Sequence, residues 1–324
     1  MRLICPLILL FGSLIPAGAQ PGIGIPATGF AFDSSLGALR PILGIAGAAI
    51  LGSPLNSGST LESAVISPHQ DFALAVSAGD HGVSIIRFDA GTSVLPLPSG
   101  MSSPDRMVFS PSGSASVLYR QDSSRIQILT GLPDTPVIRD LSTAGLNSPA
   151  ALAITDDGNL ALLAGQDSDP SWTVGPDGNF IPLALPGSTL AVAFRRGSHD
   201  LLSVTRAGDL YLALDVDTIP AFRQIYAGGA SDPVAVQFSF DGAVSYAIGA
   251  NGTVIAVQLA TGSSQTISCG CRPTALEPLR SGTMFRLNAI SSRPLMLFDA
   301  SVGGLQVWFV PPDPPPAKSP ESNQ

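Results

Sequence analysis

Few residues in this chain have the type and spacing to do chemistry, and Cys269-Gly270-Cys271 is the most distinctive set. The third cysteine, Cys5, lies in an apolar leader. Residues i and i+2 of an extended chain sit near the upper limit for disulfide geometry, so a bridge needs a bent backbone. Gly270 can supply that bend. Three readings stand: a local disulfide, a pair of free thiols, or half of a metal or redox site. Two thiolates make half a tetrahedral zinc site, and no neighbouring histidine completes it. His69, His81 and His199 fall in or beside turns and read as surface residues. Asp156-Asp157-Gly158-Asn159 could suggest calcium, but it lacks the spaced oxygens and closing Glu of an EF-hand loop. No Gly-x-Ser-x-Gly elbow occurs. The residues therefore assign no catalytic group, no cofactor and no metal.

The elements that carry these residues repeat. Pro104, Pro149, Pro233 and Pro273 each stand nine residues before a glycine, namely Gly113, Gly158, Gly242 and Gly282. Two further units, LESAVISPHQ and TLAVAFRRGS, fit without both markers, so the units end at 70, 113, 158, 198, 242 and 282. Each opens with an alternating strand, closes it with a tight Ser/Pro/Asp/Gly turn, and continues with an apolar strand such as FALAVSA or AVSYAIG. A second turn follows, with Asn251-Gly252 its strongest hairpin signal. Third strands such as TVIAVQL and weaker fourth strands such as SQTISC complete most units. Four short strands in about 40–45 residues is the size of one propeller blade. The four repeat glycines are structural turn residues in this reading.

The stretch NGTVIAVQLATG, with the proline-led strand and turn after it, resembles the YVTN repeat, as does GVSIIRFDAGTSVLPL through PDRMVFSPSGSASVLY. That repeat belongs to the WD-repeat-like and lactonase-like β-propellers. The resemblance covers residues 61–310 and implies an all-β propeller of four-stranded antiparallel blades. Arg196 departs from the pattern by standing where the turn proline would be. Residues 30–39 echo residues 297–305 and read as a third and fourth strand without a first and second. The expectation is six full repeats plus an N-terminal hairpin that makes a seventh, incomplete position. Six blades with an extra hairpin outside is the alternative.

Composition agrees. Gly (34) and Pro (29) make up about a fifth of the 324 residues, and charged residues are only 12 %. Of the 24 acids 21 are Asp, a turn former, which suits strands and turns better than helices. The net charge of −8, with no basic cluster, argues against nucleic acid. Arg2, the apolar run 3–15 and Ala17-Gly18-Ala19 read as a signal peptide over 1–19. The run is too short to span a bilayer. The protein is thus expected to be exported, periplasmic or extracellular, with a propeller over 30–310 and a Pro-rich, disordered tail over 311–324. It reads as a non-enzymatic binding or scaffold protein that takes a protein, peptide or glycan on a rim of the ring. A lactonase-like hydrolase with a metal over the central channel is the alternative.

Overall fold

A computed structural model describes residues 26–88, 91–218, 220–301 and 304–314. The signal-peptide reading over 1–19 and most of the Pro-rich tail lie outside the described residues. Among those residues the chain folds into seven antiparallel sheets, here called blades 1 to 7, over residues 27–51, 61–96, 106–142, 151–183, 189–226, 233–268 and 277–310. Blades 2 to 7 have four strands in simple sequence order, and blade 1 has three. There is no helix among the described residues, hence none long and apolar enough to cross a membrane.

Seven apolar clusters show how the sheets close on themselves. Each cluster joins one pair of neighbours, from Leu39, Leu61 and Ala73 between blades 1 and 2 round to Tyr246, Phe285 and Phe298 between blades 6 and 7. The last joins Ala31 and Ile42 of blade 1 to Leu295, Leu297 and Val310 of blade 7. Burial follows. The second strands, such as Phe72–Ser77 and Leu201–Thr205, are covered on both faces, so alternation gives way to continuous apolar runs. The fourth strands, such as Ser93–Pro96, stay open to solvent.

The first and second strands of blades 2 to 7 meet in four-residue turns closed by the same hydrogen bond. The fourth turn residue donates its amide to the first turn carbonyl: Gln70 to Ser67, Gly113 to Ser110, Gly158 to Thr155, Ser198 to Arg195, Gly242 to Ser239, Gly282 to Leu279. Gly113, Gly158, Gly242 and Gly282 hold φ of 68–78° there. They also abut the preceding blade. A Cβ on Gly158 would lie 2.2 Å from Thr130 Cγ2, and one on Gly113 3.2 Å from Pro68 Cδ. Absence of a side chain thus serves both the turn and the packing of blade on blade.

Blade 1 corrects one expectation. Its strands Ala27–Asp33, Ala38–Leu43 and Ile50–Leu51 are a first, second and short third strand, with no fourth. Ala27–Asp33 lies beside the first strand of blade 2. The echo of residues 297–305 reflects alternation before an Asp-led turn, which any strand can carry. Seven positions hold, and six blades with a hairpin outside is excluded. The Gly/Ala-rich stretch that follows has a steric reason. A Cβ on Gly47 would lie 3.0 Å from the Trp308 ring, and Ala46 and Ala49 pack in the same cluster.

Candidate functional site

The turns between first and second strands gather around one mouth of the central channel. Their second residues are Pro68, Pro111, Asp156, Arg196, Phe240 and Arg280 in blades 2 to 7. Pro68 and Pro111 have their φ set by the ring and carry no charge. Asp156 is fully occupied: Oδ1 accepts the Ser112 amide at 2.6 Å and Oδ2 the Gly197 amide at 2.7 Å. It ties the turns of blades 3, 4 and 5 together, while Asp157 Oδ1 accepts from the Thr155 hydroxyl and the Asn159 amide within its own turn.

Arg196 is different. Its Nη2 lies 3.0 Å from Nε2 of His69, three blades away across the mouth. Its guanidinium carbon stands 4.0 Å from the Phe240 ring centroid, a cation–π contact. His69 meets the same ring edge-on at 5.9 Å. Phe240 is 54 % exposed, an unusual state for a large aromatic. Arg280 joins from blade 7, donating from Nη2 to Gln70 O at 3.2 Å. These residues, with Pro68, Pro111 and Gln237, border a cavity of about 40 Å³, and none of the side chains around it is acidic.

The nitrogen inventory singles Arg196 out. Among the described residues seven arginines are not exposed. Arg40, Arg87, Arg120, Arg139, Arg195 and Arg286 each donate to at least one carboxylate or carbonyl oxygen. Arg196 donates to no oxygen among the described residues, and its Nη1 is buried without a partner. A guanidinium in that state lacks about 1.5–3 kcal/mol of charge-assisted hydrogen bonding.

Beneath the mouth lies a channel cavity of about 260 Å³, which shares Pro68, Pro111, Phe194, Gln237 and Pro278 with the cavity above it. The first strands of blades 2 to 7 form its wall. Two residues before each turn stand Val65, Val108, Ala153, Ala193, Gln237 and Glu277, so one level of the wall is apolar on four blades and polar on two. Glu277 is paired with Arg286. A lactonase-like axial metal needs several carboxylate or imidazole ligands around one point. Among the described residues no group of three or more His, Cys, Asp or Glu could hold one.

His199 belongs to the rim. Its Nε2 lies 3.2 Å from Asp157 Oδ2 in blade 4, and its Nδ1 3.0 Å from Asp217 Oδ2 in its own blade. Burial disfavours the charged ring, but hydrogen bonds and the charges of Asp217 and Asp157 outweigh it and raise the His199 pKa. Burial pushes Asp157 up, yet hydrogen bonds from Thr155, the Asn159 amide and His199 bring it down to about 2. His81 sits elsewhere, in the turn between second and third strands, with Nδ1 2.7 Å from Glu62 Oε2. Cys269 and Cys271 are bonded to each other, with Gly270 at φ 60° between them. Their loop packs on Gly252, in the turn after the second strand of blade 6.

Known proteins place the fold. No protein-family model and no curated protein matches the chain. A functionally unknown protein from Desulfotomaculum acetoxidans superposes with a TM-score of 0.61 at 14 % identity, over 88 % of this chain and 100 % of that one. The chain is a seven-bladed β-propeller. The propeller domain of Cps50 (Swd1) from Myceliophteria thermophila is a looser match, with a TM-score of 0.47 and 14 % identity over 64 % of this chain and 70 % of that one. At 14 % identity the likeness concerns the fold alone.

Sequence reasoning passed over two residues of this propeller. Gln70 fills a turn position that takes glycine in blades 3, 4, 6 and 7, at φ 60°, and its buried amide links three blades. Arg196 was visible as a departure from the turn proline. Its meeting with His69, 127 residues away, had no local signal.

Proposed function

We propose that the propeller is an exported, non-enzymatic binding protein and that the mouth formed by the turns between first and second strands is its ligand site. One observation carries this reading. Arg196, half-buried and without an oxygen acceptor among the described residues, stacks on the exposed ring of Phe240 over a largely apolar channel. Arg and aromatic side chains are enriched where proteins bind ligands, because they combine a large apolar area with directional donors. Protein and peptide ligands suit such a surface best. The donor set also disfavours the hydrolase alternative, since Glu277, the acid among the channel-lining residues, is tied to Arg286.

The test is capture of partners from the exported fraction of the source cells by the wild-type protein and by the Phe240→Ala and Arg196→Ala variants. A partner held by wild type and lost by both variants supports the mouth as the site. A partner retained equally by all three refutes it. Export itself is checked by fractionating cells that express the full chain and the chain lacking 1–19. The first should leave the cytoplasm, the second should stay.

A further inference from the structure

We infer that the mouth recognises the C-terminus of a polypeptide that ends in an apolar residue, with its carboxylate on Arg196 and its last side chain in the channel. This deepens the reading above and rests on it. A ligand must satisfy two demands at once. It needs an anionic oxygen acceptor, because Arg196 keeps Nη2 on His69 and leaves Nη1 buried and unpaired at a cavity without acids. A carboxylate oxygen is the acceptor that a guanidinium N–H holds by a charge-assisted bond. It also needs a compact apolar group next to that carboxylate, because the space below is walled on four blades by Val65, Val108, Ala153 and Ala193, with Gln237 and Glu277 as the polar residues on the other two. At about 260 Å³ that space lies just below the ~300–1,000 Å³ of pockets for drug-sized ligands, and it has room for a side chain the size of leucine.

A chain terminus carries both groups on one carbon atom. An internal Asp or Glu offers the carboxylate without the apolar neighbour. A free small acid would meet both demands, but it would leave the exposed Phe240 ring uncovered beside the mouth. Residues preceding a C-terminus would cross that ring. Capture of a terminal carboxylate by a fixed donor set is a known mode of peptide recognition.

The probes are four peptides of one five-residue sequence, titrated by calorimetry into the mature protein: ending in leucine as the free acid, ending in leucine amide, ending in aspartate as the free acid, and carrying an internal glutamate with an amidated end. N-acetyl-leucine is the fifth probe. The leucine acid should bind at least tenfold more tightly than the amide, the aspartate peptide and the internal glutamate peptide. Arg196→Gln should remove that preference, and Ala153→Leu, which narrows the channel, should weaken the leucine acid while circular dichroism shows an intact fold. Equal binding of acid and amide overturns the inference, as does undiminished binding to Arg196→Gln. N-acetyl-leucine binding as tightly as the peptide overturns the polypeptide source. If no probe binds, the inference fails, whereas the mouth reading fails only if partner capture is indifferent to Arg196 and Phe240.

Discussion

Gln70 is the residue on which closure of the ring can be measured. Its Oε1 accepts the Phe30 amide of blade 1 at 2.6 Å, and its Nε2 donates to the Pro278 carbonyl of blade 7 at 2.8 Å. The side chain is 2 % exposed, so water does not freely replace either bond. Gln70→Ala orphans a buried amide, at about 1–3 kcal/mol, and a carbonyl, at about 0.5–1.5 kcal/mol. The expected loss is therefore about 2–4 kcal/mol, or roughly 4–8 °C in Tm at about 2 °C per kcal/mol for a body this large. Gln70→Gly loses the same bonds but frees the backbone from φ 60°, which recovers roughly 1 kcal/mol. The glycine variant should thus melt above the alanine variant, although glycine is the smaller residue. Thermal and urea unfolding followed by circular dichroism measure the order. Limited proteolysis adds a local readout, since a loosened blade 1 should be cut first between residues 44 and 58. A Gln70→Ala protein as stable as wild type, or a glycine variant less stable than the alanine variant, would refute the claim that this side chain holds blade 1 between its neighbours.

Further outcomes follow from the same geometry. Arg40 and Asp33 are a buried pair at 3.2 Å, with Asp313 reaching Arg40 from an exposed position. Arg40→Ala should cost about 3–5 kcal/mol, because buried Asp33 loses its cation and keeps only the donors from Ser35 and Leu36, whereas Asp313→Ala should cost less than ~1 kcal/mol in urea unfolding. Gly158→Ala meets Thr130 at 2.2 Å and φ 68°, while Gly197→Ala has open space at φ 65°. The first should exceed the second by at least ~1 kcal/mol, since the second carries backbone strain alone. For His199 the raised pKa means stabilisation present below its unfolded value of about 6.5 and lost as pH rises through the folded value. For Asp157, lowered to about 2, stabilisation is present above about 3.9 and lost as pH falls towards 2. Stability should therefore be greatest between about pH 4 and about pH 6.5, and His199→Asn should flatten the alkaline side of a Tm-against-pH curve.

The repeat, its strands and its turns were legible because they are local. Alternation in Val65 to Phe238, the tight Ser/Pro/Asp/Gly turns and the Asn251-Gly252 hairpin each depend on residues within a few positions of one another. The weak fourth strands were visible for the same reason, and the structure has them at Ser93–Pro96, Val137–Ser142 and Ser264–Ser268. The rank of the strands in blade 1 was misread because Phe30 to Asp33 carries the alternation of any strand, and only its neighbours in the ring distinguish first from third.

Sequence alone determined that this chain is built of four-stranded units that bury both faces against copies of themselves. The reason is physical: period and turn chemistry are properties of short segments, and each unit has too much apolar surface to stand alone. Tertiary structure decided how many positions close the circle, which glutamine clasps the last gap, and which side chains meet over the channel. Those depend on the curvature of the whole ring, which brings His69 and Arg196 to 3.0 Å although neither residue's neighbours announce the other.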